Sequence, residues 1–333
     1  MSKSQKIFFI VNTPFQYKVV RILITTYFEN TSVIIITTFK NETHIDKHNI
    51  ANMNIRRNIF SIIDLIKVKR TIKKSIKTSK NETVFFVPHL NNLLGSYCFN
   101  LVLKNTKLKI NCYYEGIALF YDPKVNISSK HINVRRLTSL LSGSRYKHYS
   151  KLFPTELRTI STAYTPLSLF TSGFKNTIEF KFLDTLNENK KTFEDLILCG
   201  PLNTSSSLRM HIENLNQYFE NYQNIKTTYF IKPHFETNDN IFKQMLAKYQ
   251  KAGIEFHVLN KNICIEQILE QQQFKNITSV FPSSALINIK LIYKEQVNLI
   301  VITNQPKIEK VTNIFNELGI LFFLEPLHRK CFI

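Results

Sequence analysis

The chain has 333 residues, 44% of them hydrophobic and 12% aromatic, and its 44 Lys and Arg against 24 Asp and Glu give a formal net charge of +20. This length exceeds what a single hydrophobic core usually holds, so we expect two domains, and the apolar content excludes a disordered chain. No apolar run reaches the roughly 18 residues that a membrane-spanning helix needs, whereas the charge favours an anionic partner: a nucleic acid, a phospholipid surface or a charged substrate.

The first half of the chain alternates between short apolar runs and segments with helical spacing. Residues 6–11 (KIFFIV) predict a buried strand, which NTP ends, rather than a secretion signal, and residues 15–28 predict a helix. Residues 31–38 predict the next strand, and residues 58–77 predict a basic amphipathic helix. Residues 82–103 then supply a strand, a loop and another helix. This alternation indicates βαβ units around a parallel sheet.

The regular alternation weakens between residues 124 and 190, which are rich in Ser, Thr, Lys and Arg and lead into the polar run LNENKKTFED. We therefore place a domain boundary there and predict domains at residues 1–190 and 191–333. From DLILCGPL onwards strand-like and helix-like segments alternate again, which indicates a second doubly wound α/β domain. Two such Rossmann-like domains facing a central cleft describe the GT-B architecture of glycosyltransferases, but several dehydrogenases and binding proteins share that description.

Several common site motifs are missing from the sequence. The loop after the first strand, VNTPFQ, has no glycine, which argues against a dinucleotide-binding GxGxxG turn, and there is no Walker A loop. The five cysteines are scattered without a CxxC pair or a His/Cys ligand spacing, so we expect reduced thiols in the cytoplasm and no structural zinc. The sequence also has no Asp-x-Asp motif suited to a divalent ion.

Unusual polar residues follow several of the predicted strands. In open α/β sheets ligands bind beyond the carboxyl ends of the strands, so such residues are candidates for a site. They are Glu115 and Gly116 in NCYYEGIALFYDP, Lys232 and His234 in IKPHF, Glu266 in CIEQIL, and Ser283 and Ser284 in FPSSALI. Each group also has a structural interpretation, respectively as a turn, a structural histidine, a solvated helix glutamate and a helix cap.

The serine pair carries the clearest physical argument. A helix N-terminus has unpaired N–H groups and about half a positive charge, and two hydroxyls there would complete a phosphate cradle. Ser283 or Ser284 could equally be only an N-cap. Lys232 and His234 alternate along an extended segment, so that both can face the same side of the sheet edge.

The ordered motifs YEG (114–116), KPHF (232–235) and SS (283–284) resemble those of bacterial GT-B sialyltransferases, most closely glycosyltransferase family 52, the lipooligosaccharide sialyltransferases. NTPFQ, with Gln16, and VPHLNNLL, with His89, also resemble the loops after that family's first and third strands. The resemblance implies an inverting sialyltransferase that moves sialic acid from CMP-Neu5Ac to a terminal galactoside of a bacterial surface glycan, either lipooligosaccharide or capsule. It implies no cofactor and no metal ion.

The resemblance also assigns roles to individual residues. Glu115 is the general base, and Tyr114 replaces the family's first acid, so support for the base must come from elsewhere. Lys232 meets the cytosine and His234 the donor phosphate, although Phe235 replaces the proline that usually follows this histidine. The remaining donor-binding residues are Glu266, on the ribose hydroxyls, the phosphate-binding pair Ser283 and Ser284, and Gly200. The residues on the acceptor side are Gln16, His89 and Gly116.

The chemistry of the transfer agrees with this division of roles. Inversion needs a base on one face of the sugar to take the acceptor proton, and on the other face it needs donors that stabilise the departing CMP phosphate. We expect Gly116 to turn the chain away so that Glu115 stays accessible. The aromatic neighbours either raise the pKa of Glu115 by desolvation, stack on sugar faces or belong to the core; they are Tyr113, Tyr114, Phe120 and Tyr121.

Other functions stay open at the level of the sequence. A GT-B transferase that uses another nucleotide sugar, such as a glucosyl- or Kdo-transferase, fits the same pattern. Release of CMP would exclude an enzyme that uses a UDP-sugar, whereas Kdo-transferases share the CMP chemistry. A nucleic-acid-binding protein is disfavoured because the basic residues are spread widely and no known nucleic-acid-binding signature appears. The helix around residues 59–77 and the basic segment 131–151 are compatible with a peripheral contact with the anionic inner membrane, although for either segment alone a solvated charged face is the favoured interpretation. The family also allows a homodimer.

Overall fold

The computed structural model divides into two units, Met1–Phe182 and Leu183–Ile333. The first unit thus ends a few residues before the boundary that the sequence predicts at residue 190. The structure describes most of both units, namely residues 5–39, 49–55, 61–78, 82–116, 119, 129–142, 146, 160–170, 174–182, 190–221, 228–303 and 309–323.

The first unit is a parallel sheet with helices between its strands. Its elements are β1 (Lys6–Val11), α1 (Pro14–Tyr27), β2 (Ser32–Thr37), β3 (Ile50–Asn54), α2 (Ser61–Thr78), β4 (Thr83–Val87), α3 (Leu93–Val102), β5 (Leu108–Tyr113), α4 (Ser129–Leu141), β6 (Ile160–Thr165) and β7 (Asn176–Glu179). Within the described residues the strands pair in parallel, in the order β3-β2-β1-β4-β5-β6-β7. β1 and β4 lie inside the sheet and are almost entirely buried, as expected where both faces of a parallel sheet are covered.

Helix α1 begins where the sequence supplies both a cap and a proline. The Oγ1 of Thr13 accepts a hydrogen bond from the N–H of Gln16 (3.2 Å), and Pro14 occupies the first helical position. The chain therefore passes from β1 into α1 within two residues, which keeps Gln16 close to the carboxyl end of β1.

The second unit repeats this architecture. Its elements are β8 (Lys191–Leu198), α5 (Ser205–Asn221), β9 (Thr228–Lys232), α6 (Asp239–Gln250), β10 (Glu255–Val258), α7 (Ile265–Gln271), β11 (Gln272–Ser279), α8 (Ser284–Tyr293), β12 (Asn298–Ile302), α9 (Glu309–Glu317) and β13 (Leu321–Phe323). The described strands pair in parallel in the order β10-β9-β8-β11-β12-β13. Its core includes the packed rings of Tyr218, Phe219, Tyr229 and Tyr249.

In each sheet the order of the strands reverses at one position, between β1 and β4 in the first unit and between β8 and β11 in the second. Loops that leave the two strands at such a position run to opposite faces of the sheet, and ligands bind in the crevice that this opens at the carboxyl edge. The predicted α/β class, with two Rossmann-like doubly wound domains, is confirmed.

Three strands and one helix of the first unit lie where the sequence suggested no regular structure. β3 and β7 are the edge strands. Their residues are at least partly exposed and form no continuous apolar run, so the sequence does not predict these strands. β6 and α4 lie in the segment where the alternation weakens. Helix α4 escapes a periodicity argument because four of its apolar residues are exposed while Ser139 is buried, the reverse of the usual pattern.

Candidate active site

Three neighbouring strands of the first sheet, β1, β4 and β5, end beside one another and bring together Gln16, His89 and Glu115. Gln16 lies in the first turn of α1, His89 follows β4, and Glu115 lies two residues beyond β5. The side chain of Glu115 is 11% exposed and that of His89 is 20% exposed. The three residues therefore form a largely buried site next to the position where the strand order reverses.

Both neighbours of Glu115 approach the same carboxyl oxygen. Gln16 Nε2 donates a hydrogen bond to Glu115 Oε2 (3.2 Å), and the Oε1 of Gln16 accepts one from the backbone N–H of Asn12 (2.7 Å), which fixes the orientation of the amide. His89 Nδ1 accepts a hydrogen bond from the backbone N–H of Asn91 (3.1 Å), so the proton of the neutral ring is on Nε2. This Nε2 lies 3.9 Å from Glu115 Oε2. An amide and an imidazole are thus the neighbours of this carboxyl oxygen.

The electrostatics of this group follow from its burial. Burial raises the pKa of Glu115 to about 8, because desolvation disfavours the charged carboxylate. Burial also lowers the pKa of His89 to about 4, and the nearby charge of Arg135 adds to this effect. At neutral pH the imidazole is therefore uncharged and most of the Glu115 carboxyl groups are protonated, so their contact is not an ion pair. The predicted desolvation of Glu115 is confirmed.

The two tyrosines before Glu115 belong to the core and are fully buried. Tyr113 donates its hydroxyl to the carbonyl of Ile10 (2.6 Å), and the ring of Tyr114 packs edge-on against Phe15 with 6.0 Å between the ring centres. The suggestion that these two rings stack on a sugar is therefore wrong, since no face of either is accessible. The other two aromatic residues predicted to lie near Glu115, Phe120 and Tyr121, are outside the described residues.

Gly116 has the backbone conformation expected of the turn after Glu115. Its φ is 130°, a value that L side chains rarely adopt and that glycine adopts without strain. The glycine thus allows the chain to turn away immediately after the carboxylate.

In the second unit, the carboxyl ends of β8, β9 and β11 also meet, and they carry Gly200, His234 and Phe281. A Cβ on Gly200 would lie 2.8 Å from Cγ of Phe281, so only glycine allows this ring to cover the loop after β8. The ring of Phe281 in turn meets the imidazole of His234 edge-on, with 6.4 Å between the ring centres. One phenylalanine therefore joins the loops that follow three neighbouring strands.

Lys232 and His234 have different surroundings although they are only two residues apart. Lys232 is buried, and its Nζ donates hydrogen bonds to the carbonyls of Pro233 (2.9 Å) and Lys261 (3.2 Å). Burial lowers the pKa of Lys232, with partly compensating effects from acidic groups nearby. The side chain of His234 is 27% exposed, and its Nδ1 accepts a hydrogen bond from the backbone N–H of Glu236 (3.3 Å), which leaves the proton on Nε2.

Burial, together with the smaller effect of the charge of Lys232, lowers the pKa of His234 to about 4. His234 is therefore a neutral N–H donor at physiological pH. Its role differs from that of a cation: it can donate one hydrogen bond through Nε2 to an anionic ligand but adds no charge of its own. The structure thus places Lys232 Nζ against one carbonyl of the loop after β9 and one carbonyl of the loop after β10.

The serine pair begins helix α8, as the sequence predicts. Ser283 is the N-cap, and its Oγ accepts a hydrogen bond from the N–H of Ala285 (3.2 Å), while Ser284 is the first helical residue. Both side chains are half-buried. The cap interpretation of Ser283 is confirmed, and a phosphate role for the pair stays a prediction.

Glu266 is not the solvated helix glutamate that its position suggests. It is buried in α7, and its Oε1 accepts a hydrogen bond from Asn288 Nδ2 of α8 (2.8 Å). Glu266 thereby fixes the position of α8, the helix that Ser283 caps. A contact of Glu266 with a ribose stays a prediction.

Two residues of this edge, His211 and Asn214, were not recognised from the sequence. Both are completely buried in α5. His211 Nε2 accepts a hydrogen bond from the backbone N–H of Gly200 (2.9 Å), and Asn214 Nδ2 donates one to the carbonyl of Val280 (2.7 Å). One helix therefore holds the ends of β8 and β11, the two strands on either side of the reversal in strand order.

No group of three or more His, Cys, Asp or Glu side chains in the part of the chain that the structure describes is arranged to hold a metal ion. No helix there is both long enough and apolar enough to cross a membrane.

Comparison with known proteins found similarity in structure alone. No protein-family model matches the sequence, and no curated protein is similar to it in sequence. A sialyltransferase from Photobacterium damselae, described as residues 113–497 corresponding to the GT-B domain, matches with a TM-score of 0.50 and 12% identity over 96% of this chain and 99% of that one. UDP-GlcNAc 2-epimerase from Methanocaldococcus jannaschii, in complex with UDP-GlcNAc and UDP, matches with a TM-score of 0.52 and 14% identity over 96% and 89% of the two chains. At such identities the likeness concerns the fold, and the chain has the GT-B fold.

Proposed function

We propose that this protein is an inverting sialyltransferase that transfers sialic acid from CMP-Neu5Ac to a terminal galactoside of a bacterial surface glycan. The proposal is supported by the ordered set of motifs at the strand ends and by the GT-B fold that holds them. The first unit provides the base, and the second unit binds the sugar nucleotide.

The environment of Glu115 is the observation that carries the proposal. A general base works best when its pKa lies near the working pH, and burial brings the pKa of Glu115 to about 8. Gln16 and His89 both approach Oε2, so we assign Oε1 to the acceptor hydroxyl. The hydroxyl oxygen bonds to the anomeric carbon, the bond from that carbon to the phosphate oxygen breaks, CMP leaves with the electron pair, and the hydroxyl proton passes to Glu115.

The residues at the ends of β9 and β11 are assigned to the leaving group. His234 can donate through Nε2 to the phosphate, and the N-terminus of α8, with Ser283 and Ser284, can offer backbone N–H groups and hydroxyls to the same group. Lys232, which shapes the β9 loop, is assigned to the cytosine side. These donors would stabilise the departing CMP without a divalent ion.

The direct test is incubation with CMP-Neu5Ac and a panel of galactosides, followed by product mass and linkage analysis. UDP-GlcNAc and other UDP-sugars form the parallel arm, because the epimerase complex of the same fold contains UDP-GlcNAc. Release of CMP with formation of a sialylated product supports the proposal. Transfer from a UDP-sugar with no CMP release would replace it with a GT-B transferase that uses another donor.

The variant Glu115→Gln tests the role of the base. It keeps the shape of the side chain and removes its basicity, so transfer should fall by roughly 10²- to 10⁴-fold while CMP binding stays unchanged. Glu29→Gln, at an exposed glutamate of the same unit, is the matched control and should transfer normally. Normal turnover by the Glu115 variant would remove this residue from the mechanism.

A further inference from the structure

Helix α4 exposes most of its apolar side chains to solvent, beside the exposed polar residues Asn133 and Arg136. Ser139 and Ser142, one residue past the helix end, are buried. We call the opposite side the leucine face; it consists of Val134 (54% exposed), Leu137 (58%), Leu140 (74%) and Leu141 (58%). These four positions lie within about one third of the helix circumference, as their spacing requires. Exposed leucines scattered singly are ordinary, but a row of them on one face of a helix indicates a surface that binds an apolar partner.

The neighbouring helix α2 supplies a row of positive charge. Its exposed basic residues, which we call the basic row, are Lys67, Arg70, Lys73, Lys74 and Lys77. The two helices are linked at one point, because Lys69, on the buried side of α2, donates a hydrogen bond to the backbone carbonyl of Ser142. Ile63, 48% exposed, adds an apolar side chain near the start of α2. The first unit therefore carries an apolar face and a basic row on two helices that are in contact.

We propose that the leucine face of α4 and the basic row of α2 together bind the surface of an anionic lipid bilayer. Leucines inserted at the boundary of headgroups and acyl chains, beside lysines and arginines that meet anionic headgroups, are the combination that holds a helix in a membrane interface. A second copy of the chain is the less suitable occupant, because the net charge of +20 makes two copies repel and the basic row has no acidic counterpart on α4. Nucleic acid would be attracted by the basic row but would leave the leucine face exposed.

The proposal is tested by cosedimentation of the full chain with vesicles of phosphatidylcholine alone and of phosphatidylcholine mixed with phosphatidylglycerol, with no sugar nucleotide present. We expect binding to the mixed vesicles that weakens with salt, and little binding to the neutral ones. The double variant Leu137→Gln with Leu140→Gln should bind the mixed vesicles at least about tenfold more weakly. Leu103→Gln with Leu169→Gln is the matched control, since both leucines are exposed in the same unit (56% and 95%), and it should bind within about twofold of the wild type.

A second pair of variants separates lipid binding from general charge. Lys67→Gln with Lys74→Gln should weaken binding at low salt, whereas Lys243→Gln with Lys248→Gln, exposed lysines of α6 with the same change in net charge, should not. Circular dichroism shows whether each variant is folded. Absence of binding to anionic vesicles at low salt, or an equal loss in the controls, would overturn the proposal. So would a dimeric mass in solution that the Leu137 and Leu140 variant makes monomeric, because self-association would then account for the leucine face.

Discussion

Replacing Glu115 by Gln should make the protein more stable at neutral pH, although it removes the proposed base. The folded-state pKa of Glu115, about 8, lies above the ordinary value of 4.5, so the folded state prefers the protonated acid. Stability associated with this group is complete below about pH 4.5 and is lost as the pH rises towards 8. The free energy of unfolding falls by about 1 kcal/mol at pH 5 and by about 3 kcal/mol at pH 7. The Gln variant does not lose this stability because its side chain does not ionise.

The measurement is calorimetric unfolding of the wild type and Glu115→Gln at pH 5 and pH 7. In a unit of this size, 1 kcal/mol corresponds to a shift of about 2–4 °C in Tm. The gain in Tm of the first unit should therefore be about 5–10 °C larger at pH 7 than at pH 5. Any contribution that is independent of pH cancels in this difference. An equal gain for Glu115→Gln at both pH values would refute the reasoning about its burial.

Three further predictions concern catalysis and binding. Gln16→Ala removes the hydrogen bond that favours the ionised form of Glu115, so the rise of kcat/KM with pH should move to higher pH by about one unit; an unchanged pH profile would mean that Gln16 only shapes the loop. His234→Ala should weaken CMP binding about tenfold, measured by calorimetry, because it deletes a donor to the phosphate, and unchanged affinity would leave His234 as part of a turn. Transfer should survive dialysis against EDTA, since N–H and hydroxyl donors are assigned to the leaving phosphate; loss that Mg²⁺ or Mn²⁺ restores would require a metal-assisted mechanism instead.

The interior of both sheets could be predicted because the central parallel strands are continuous apolar runs. KIFFIV and TVFFV correspond to β1 and β4, and no other arrangement buries both faces of such short segments. The edge strands β3 and β7 could not be predicted, since an edge needs no apolar run. Helix α4 could not be predicted for a different reason. A periodicity argument assumes that apolar residues face the protein, whereas Val134 and the three leucines of this helix face solvent.

The candidate site was predictable only in its strand-end residues. The rule that ligands bind at the carboxyl edge is sufficient to nominate Glu115, whereas Gln16 and His89 were nominated by the resemblance of their loops to those of a known family. That Gln16 and His89 converge on one carboxyl oxygen of Glu115 depends on β1, β4 and β5 being neighbours, and the local sequence does not determine the order of the strands. His211 could not be distinguished from the other polar residues of α5, because its role depends on a backbone N–H from another element.

The contacts of His211 and Asn214 have a consequence for the thermodynamics of ligand binding. Both side chains are buried and bonded to backbone groups at the ends of β8 and β11, so these two loops are already ordered by α5 without any ligand. The conformational entropy of these loops is lost during folding. A nucleotide that binds there would therefore cause little further loss of conformational entropy. We expect the amide of Gly200 to exchange slowly with deuterium before any ligand is added, and CMP to change that rate only slightly. Rapid exchange that slows on addition of CMP would mean that this edge is assembled by its ligand rather than by the fold.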